Sequence, residues 1–315
     1  MNAMTELKNL RIPMINAENG QPKYRQLDVE YDPATRSVWT YMKPTGPACF
    51  NLDLLSDLKS NDEAIGKNQG TNIDHNELFI ADYSILGSRA ENLFIYGGDL
   101  ALFVLLIKSK NRDALLHYAR LCVDCIYSRV TNHNTSSLTI SLVQGDALGG
   151  GFEYALTSNV IIAEESARMG FPEILFNLFP GMGAYSLLAR RLGAKKAEEM
   201  ILSGKIYGAR ELHEIGIIDV LAPAGRGEHA VYEFMRKNSR QLNGMRAMYQ
   251  CRHHTWPLSR EELMNITEVW VDAALRLQSR DLKMMSRLAE AQLRQNEARK
   301  KARRTDRSSE LATAI

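Results

Sequence analysis

The chain has 315 residues, 45% of them hydrophobic and 24% charged, the balance of an ordinary folded protein rather than a disordered or collagenous one. Its 39 basic residues against 37 acidic ones leave a net charge of +2, which excludes a whole-molecule field for wrapping nucleic acid. The longest apolar run, Leu100 to Ile107, falls far short of the ~20 residues that cross a bilayer, and the N-terminal stretch lacks the basic flank and apolar run of a secretory leader, so the expectation is a cytoplasmic protein with no membrane insertion.

In chain order, Leu27 to Glu30 and Val38 to Met42 read as two strands joined by a turn at Asp32-Pro33-Ala34-Thr35. Asn51 to Ser60 reads as a helix and the polar, turn-rich Asn61 to Asn76 as an exposed loop. Leu78 to Ser84 is a predicted strand, Asp99 to Ile107 a helix entered through Gly97-Gly98, and Asp113 to Arg129 a further helix. Leu138 to Val143 is a strand, Phe152 to Thr157 a short helix behind a glycine turn, and Val160 to Ala163 a buried strand. Strands alternating with helices in this way predict an α/β core with parallel strands. From Gly183 the pattern is helical except at Ile218 to Leu221, with a boundary near Ala222 to Gly227, and Arg260 to Arg304 has helical spacing with few breakers. The basic run from Arg294 to Arg307 reads as a solvated helix end, with a docking surface for an acidic partner as the competing reading.

Cys122 and Cys125 form a CxxC inside the predicted helix Asp113 to Arg129, and Cys49 and Cys251 stand apart, so buried thiols are expected rather than zinc or redox chemistry. His213 and the pair His253-His254 lack partners at metal-ligand spacing. Ser186 is not in a GxSxG elbow, which disfavours a serine hydrolase. Leu263, Ile266, Trp270, Ala274 and Leu277 form a stripe at helical spacing, expected in the core or at a subunit interface.

The stretch around Gly149-Gly150-Gly151 opens a helix directly after a strand and turn, where free backbone N–H groups attract negative charge. Two readings compete. A dinucleotide site would use Glu164 or Glu165 for a ribose, but the GxGxxG pattern fails because its third glycine falls on Tyr154. An oxyanion hole would need a second donor from another segment, and Phe94 to Asp99 supplies a second glycine turn at a helix entrance. Glu153 and Glu173, each in an apolar context, are then candidate proton carriers, since burial raises a carboxyl pKa and a nearby carboxylate splits the pair.

Gly97-Gly98-Asp99, Gly149-Gly150-Gly151-Phe152-Glu153, Pro172-Glu173 with Phe179-Pro180-Gly181, and the segment Tyr207 to Ile218 resemble, in order and spacing, the crotonase (enoyl-CoA hydratase/isomerase) superfamily. Within it, Gly97 to Phe103, Ser141 to Glu153, Pro172 to Ser186 and Ile266 to Gln278 resemble most the diffusible signal factor synthases, which make cis-2-unsaturated fatty acid signals. The resemblance covers about Leu27 to Gln292. It implies an α/β fold: a crotonase-like ββα spiral core over 21–222 with an α-helical C-terminal region over 228–296, flanked by a variable segment at 1–20 and a basic, disordered tail at 297–315. It further implies Gly98 and Gly150 as the oxyanion hole, Glu153 and Glu173 as the catalytic pair with acid and base unassigned, and Met182 and Trp270 as walls of an acyl pocket. The implied reaction is dehydration of a 3-hydroxyacyl chain on acyl carrier protein followed by thioester hydrolysis, with no metal or redox cofactor. The implied partners are acyl carrier protein, a sensor kinase and further copies of the chain in a homotrimer or dimer of trimers. A general enoyl-CoA hydratase/isomerase and a non-catalytic binding platform for a sensor protein remain the alternatives.

Overall fold

The computed structural model of the protein describes residues 24–67 and 81–294, together with three two-residue strands, β1 (Ile12–Pro13), β2 (Ala17–Glu18) and β3 (Gln21–Pro22). Two sheets organise it. The larger has seven strands, built on β4 (Leu27–Asp32), β5 (Ser37–Met42), β6 (Tyr83–Ser88), β8 (Leu138–Val143), β10 (Val160–Glu164) and β13 (Val220–Ala222) in that order, with β1 at its edge. β4 and β5 form the expected antiparallel hairpin; β5 through β13 run parallel, aligning Trp39 with Ile85, Ile85 with Ile140 and Ile140 with Val160.

A parallel sheet must be covered on both faces, which is why every residue of β8 is buried, its Leu, Ile and Val interrupted only by the small Thr139 and Ser141. On one face Trp39, Ile140 and Ile162 meet Val231 and Met235 of helix Gly227–Asn238. On the other, Met42, Leu86 and Ile161 pack in one cluster with residues of helices Leu52–Lys67 and Arg112–Val130. The buried hydroxyls of β8 are satisfied locally: Thr139 Oγ1 lies 3.0 Å from Asn159 Oδ1, and Ser141 Oγ lies 2.8 Å from Ser158 Oγ.

The smaller sheet has the order β12-β11-β9-β7 and consists of three-residue strands: β7 (Leu93–Ile95), β9 (Asp146–Leu148), β11 (Arg168–Gly170) and β12 (Ile206–Gly208). Three strands of the large sheet are each followed by a short strand here and then by a helix or helical turn: β6, β7 and helix Leu100–Lys108; β8, β9 and helix Gly150–Ala155; β10, β11 and the 3₁₀ turn Pro172–Phe176. This repeated ββα turn is the spiral that the resemblance implies, and β7, β9 and β11 lie side by side and parallel.

Several sequence expectations are corrected. The helix expected to stop at Ser60 runs to Lys67, because Asn61 and Asp62 are buried with partners: Asn61 Nδ2 donates to Thr40 Oγ1 at 3.1 Å, and Asp62 Oδ1 sits 3.4 Å from His133 Nδ1. Residues 68–76 of the expected loop lie outside the described residues, as do 78–80 of the strand expected at Leu78; that strand starts at Tyr83 and runs to Ser88. The helix expected at Phe152 begins at Gly150, since the glycines themselves form its first turn. The segment expected to be continuously helical from Arg260 breaks after Ala274 and resumes at 279, where Asp281 Oδ2 accepts the Gln278 N–H at 2.9 Å and caps the new helix; residues beyond 294 are outside the described region. Within the region read as helical after Gly183, strand β12 was not anticipated, and the second strand falls at Val220–Ala222 rather than Ile218 to Leu221.

Candidate active site

Three chain segments leave the C-terminal ends of the adjacent strands β7, β9 and β11, and each carries part of the predicted site. Ligands in α/β proteins gather outside the carboxyl ends of parallel strands, and the segments here converge in that way. After β7 come Gly97 and Gly98; Asp99 then caps helix Leu100–Lys108, its Oδ1 accepting the Leu102 N–H at 3.0 Å. After β9 come the three glycines and Glu153. After β11 come Pro172 and Glu173.

The first two segments abut so closely that side chains are excluded. A Cβ on Gly97 would lie 3.0 Å from Gly150 N, and one on Gly150 would lie 3.4 Å from Gly97 Cα and 2.7 Å from Met182 Sδ. Gly149 has φ +55°, and a Cβ there would meet Glu173 Oε1 at 2.2 Å. The N–H of Gly150 is in the first helical turn, where no intrahelical acceptor is available, and among the described residues no other group takes up the N–H of Gly98 or Gly150. Tyr118 fixes the Gly98 turn: its hydroxyl accepts the Asp99 N–H at 3.2 Å and donates to the Phe50 carbonyl.

Glu153 is 1% exposed, and its Oε1 accepts the N–H groups of Met182 at 2.7 Å and Ala184 at 2.8 Å. Burial pushes its carboxyl up to about 7, although those N–H groups, with that of Gly183, favour the charged form. Glu173 is held well above the usual carboxylate range, first by burial and then by the charge on Glu153; its Oε2 is shielded from solvent and has no hydrogen-bond partner. Glu153 therefore ionises at about 7, while Glu173, facing that charge, keeps its proton to higher pH.

Gly98, Gly150, Glu153, Glu173, Met182 and Trp270 all line one cavity of about 220 Å³. Its remaining wall is mostly apolar and was not found from sequence. Phe103 stands edge-on to both Tyr118, at 5.0 Å, and Trp270, at 5.1 Å. Tyr118 and Cys122 reach it from one face of helix Arg112–Val130, an i, i+4 spacing that was legible but unaccompanied by any sign of what the face met. Leu288 and Gln292 come from the last helix. The CxxC cysteines are buried free thiols, and burial raises both above the usual thiol range. The stripe expected at Leu263 to Leu277 is buried, apart from a half-buried Ile266.

Glu164 has a different task from the ribose-binding acid of a dinucleotide site: its two oxygens accept the N–H groups of Gly225 and Gly227 at 2.8 and 2.9 Å and hold the start of helix Gly227–Asn238. Glu165 pairs with Arg210. His213 is structural, its Nδ1 lying 2.8 Å from the Ile218 carbonyl, and Ser186 donates to Glu262 Oε1 at 2.6 Å.

Residues 83–256, more than half of the chain, match the enoyl-CoA hydratase/isomerase family, and the chain belongs to it. A fatty acid oxidation complex subunit alpha from Pseudomonas syringae is 31% identical over 160 residues, 50% of this chain and 22% of that protein. A probable enoyl-CoA hydratase from Mycobacterium bovis is 42% identical over 86 residues, 27% of this chain and 34% of its own length. The matched stretch thus spans about a third or less of these curated relatives. Among solved structures, DspI from Pseudomonas aeruginosa superposes with TM-score 0.62 at 22% identity, covering 79% of this chain and 87% of that one. An enoyl-CoA hydratase from Bacillus halodurans gives 0.68 at 20% identity, covering 83% and 99%. At these identities the likeness establishes the shared fold.

The buried carboxyls carry a stability signature. Because burial raises the folded pKa of each above its unfolded value, the folded state binds more protons than the unfolded one in between, and stability falls as pH rises through that window. For Glu153, from 4.5 to about 7, the effect amounts to at most about 3 kcal/mol. Glu173→Gln, which removes the carboxyl whose Oε2 is buried without a hydrogen-bond partner, is expected to raise the melting temperature at pH 8 and to leave it nearly unchanged at pH 5. An equal shift at both pH values, or a loss at pH 8, contradicts this.

Proposed function

We propose that this chain dehydrates a 3-hydroxyacyl thioester carried on acyl carrier protein to the cis-2-enoyl thioester, and then hydrolyses the thioester to release a cis-2-unsaturated fatty acid that serves as a diffusible signal. One observation carries the reading: two coupled carboxyls, Glu153 and Glu173, line the same apolar cavity as the two glycine turns whose N–H groups are free. The N–H groups of Gly98 and Gly150 polarise the thioester carbonyl and stabilise the charge that grows on its oxygen. The ionised carboxyl of the pair takes the proton from C2; the protonated one gives its proton to the C3 hydroxyl, the C3–O bond breaks, and water leaves as the C2=C3 bond forms. Hydrolysis reuses the same donors. A carboxylate takes a proton from water, the water oxygen attacks the carbonyl carbon, and as the tetrahedral intermediate collapses the C–S bond breaks and the same carboxyl returns the proton to sulfur, freeing the carrier thiol. The balance requires no metal or redox cofactor.

The family supplies the acyl-thioester chemistry, while the carrier, the geometry of the double bond and the release step are the finer parts of the proposal. They are tested by incubating purified protein with 3-hydroxyacyl carrier protein and with the matching CoA thioester, followed by mass spectrometry of the products. Free cis-2-enoic acid from the carrier-protein substrate is the expected result. Interconversion of 3-hydroxyacyl-CoA and enoyl-CoA without free acid would identify a general hydratase, and no turnover at all would point to a binding platform.

Two further outcomes follow from the site. Trp270 packs beside Gly181 and Phe103 in the cavity wall, so Trp270→Ala lengthens the space for the acyl tail and shifts products toward longer chains. Removing a core Trp costs ~3–5 kcal/mol, so profiles are compared on folded protein, and an unchanged profile refutes the wall. Acyl carrier protein is acidic, and a chain with net charge +2 meets it through a local basic surface in the folded region. Deleting residues 299–315, which lie outside the described residues, is therefore expected to leave activity on carrier-protein substrates intact. A large salt-dependent rise in KM would assign docking to that tail.

A further inference from the structure

A second cavity, of about 210 Å³, shares no lining residue with the first. It lies among loop residues 156–159, helix Ala184–Leu192, and helix Leu242–Thr255 with Trp256 and Leu258 behind it. Its lining is divided in character. Leu156, Leu187 and Leu258 give it an apolar side, and Trp256 stands beside them 54% exposed, unusual for so large an apolar ring.

The other side is cationic and incompletely satisfied. The guanidinium of Arg252 lies 4.6 Å over the ring of Tyr249, donates to that residue's hydroxyl and is near enough to Asp219 to favour its charged form, but makes no direct ion pair with a carboxylate among the described residues. Arg191 is committed to the carbonyls of Leu156 and Ser158, at 3.1 and 2.7 Å. Arg190 gives its terminal nitrogens to Glu262, yet its Nε is buried without a partner, and so is Nε2 of His253. Asp219 supplies the one acidic group of the lining, and its Oδ2 accepts the Ile161 N–H at 2.7 Å. Buried polar atoms in folded proteins are normally paired, so two partnerless nitrogens on residues that line one cavity, beside a guanidinium with no carboxylate in ion-pair contact, mark a place where an acceptor belongs. With Arg190 neutralised by Glu262, the cations Arg191 and Arg252 face the single charge of Asp219, which leaves room for one negative charge rather than two.

We propose that this cavity binds a carboxylate bearing an apolar tail, its oxygens meeting Arg252, His253 and the Nε of Arg190 while the tail lies against Leu156, Leu187, Leu258 and Trp256. The site stands on its own lining and does not depend on the proposed reaction.

Trp256 reports on it directly. The chain has three tryptophans, of which Trp39 is buried in the sheet and Trp270 lines the first cavity, so in a Trp270→Phe background a change in emission belongs to Trp256. Titration of that protein with decanoate is expected to give a saturable blue shift, weakened at least tenfold by Arg252→Ala. Decanol and inorganic phosphate are expected to give no saturable shift. The proposal is overturned if decanoate gives no saturable response, if decanol or phosphate matches it, or if Arg252→Ala leaves it unchanged. Circular dichroism confirms that the variant is folded. Should Arg252→Ala fail to fold, His253→Ala takes its place and is expected to weaken decanoate binding at least threefold, an undiminished response overturning the proposal equally.

Discussion

Glu173→Gln protein is expected to fold and to dehydrate a 3-hydroxyacyl thioester roughly 10²–10⁴ times more slowly than the parent, the usual value of a positioned proton carrier. The amide keeps the size of the carboxyl and spares the Gly149 turn beside it, so the loss reports proton transfer rather than collapse. Glu153→Gln is expected to lose as much, since its oxygen can still accept the Met182 and Ala184 N–H groups but cannot carry charge or a transferable proton. The two variants together separate chemistry from binding: kcat falls, KM changes little. On the proposed mechanism the active form of the parent holds one proton on the pair, so activity is expected to rise with pH through about 7 as the first carboxyl ionises and to fall at higher pH as the second does. Full turnover by either variant, or an activity flat from pH 5 to 9, sinks the two-carboxyl mechanism.

The second large effect is expected at Gly150. In Gly150→Val, the new Cβ lies 2.7 Å from Met182 Sδ and 3.4 Å from Gly97 Cα, and its methyl groups enter the space between the two free N–H groups. A thioether can yield, but the Gly97 backbone cannot, so the thioester oxygen is held away from one or both donors. Loss of a single oxyanion donor costs ~10²–10³ in kcat, and a loss of that order is expected in both dehydration and acid release, because both steps of the proposed reaction place charge on the same oxygen. A variant that keeps one activity and loses the other would show that the steps use different donors.

The parts of the fold that could be read from sequence are those with enough residues to show a period. Leu138–Val143 was located to the residue because its Leu, Ile and Val, broken only by small hydroxyl residues, suit a strand covered on both faces, and the helix read as Asp113 to Arg129 came within one residue of Arg112–Val130 at each end because its apolar spacing is helical. The second sheet was invisible for the opposite reason: three residues at Leu93, Asp146, Arg168 or Ile206 show no alternation, and their pairing is decided by partners far away in sequence. The helix beyond Ser60 was missed because Asn61 and Asp62 look solvated until Thr40 and His133 are brought beside them. At the site, the glycines and glutamates were legible because each changes what the local backbone or solvent permits. Phe103, Tyr118 and Leu288 were not, since an apolar residue on a helix carries no mark of which cavity it will face.

The polar groups of the cavity leave the ends of three neighbouring strands, whereas much of its apolar wall hangs from separate helices at Leu100–Lys108, Arg112–Val130 and Arg260–Ala274 and from the helix that begins at 279. The two can therefore drift apart over descent. Substitutions that reshape the room for a tail accumulate on helices that bear no proton carrier, and the carboxyls and amides stay where the strands put them. A lineage built on this scaffold can change the length or branching of the molecule it handles by ordinary side-chain replacement, keeping one inherited reaction while exploring many cargoes.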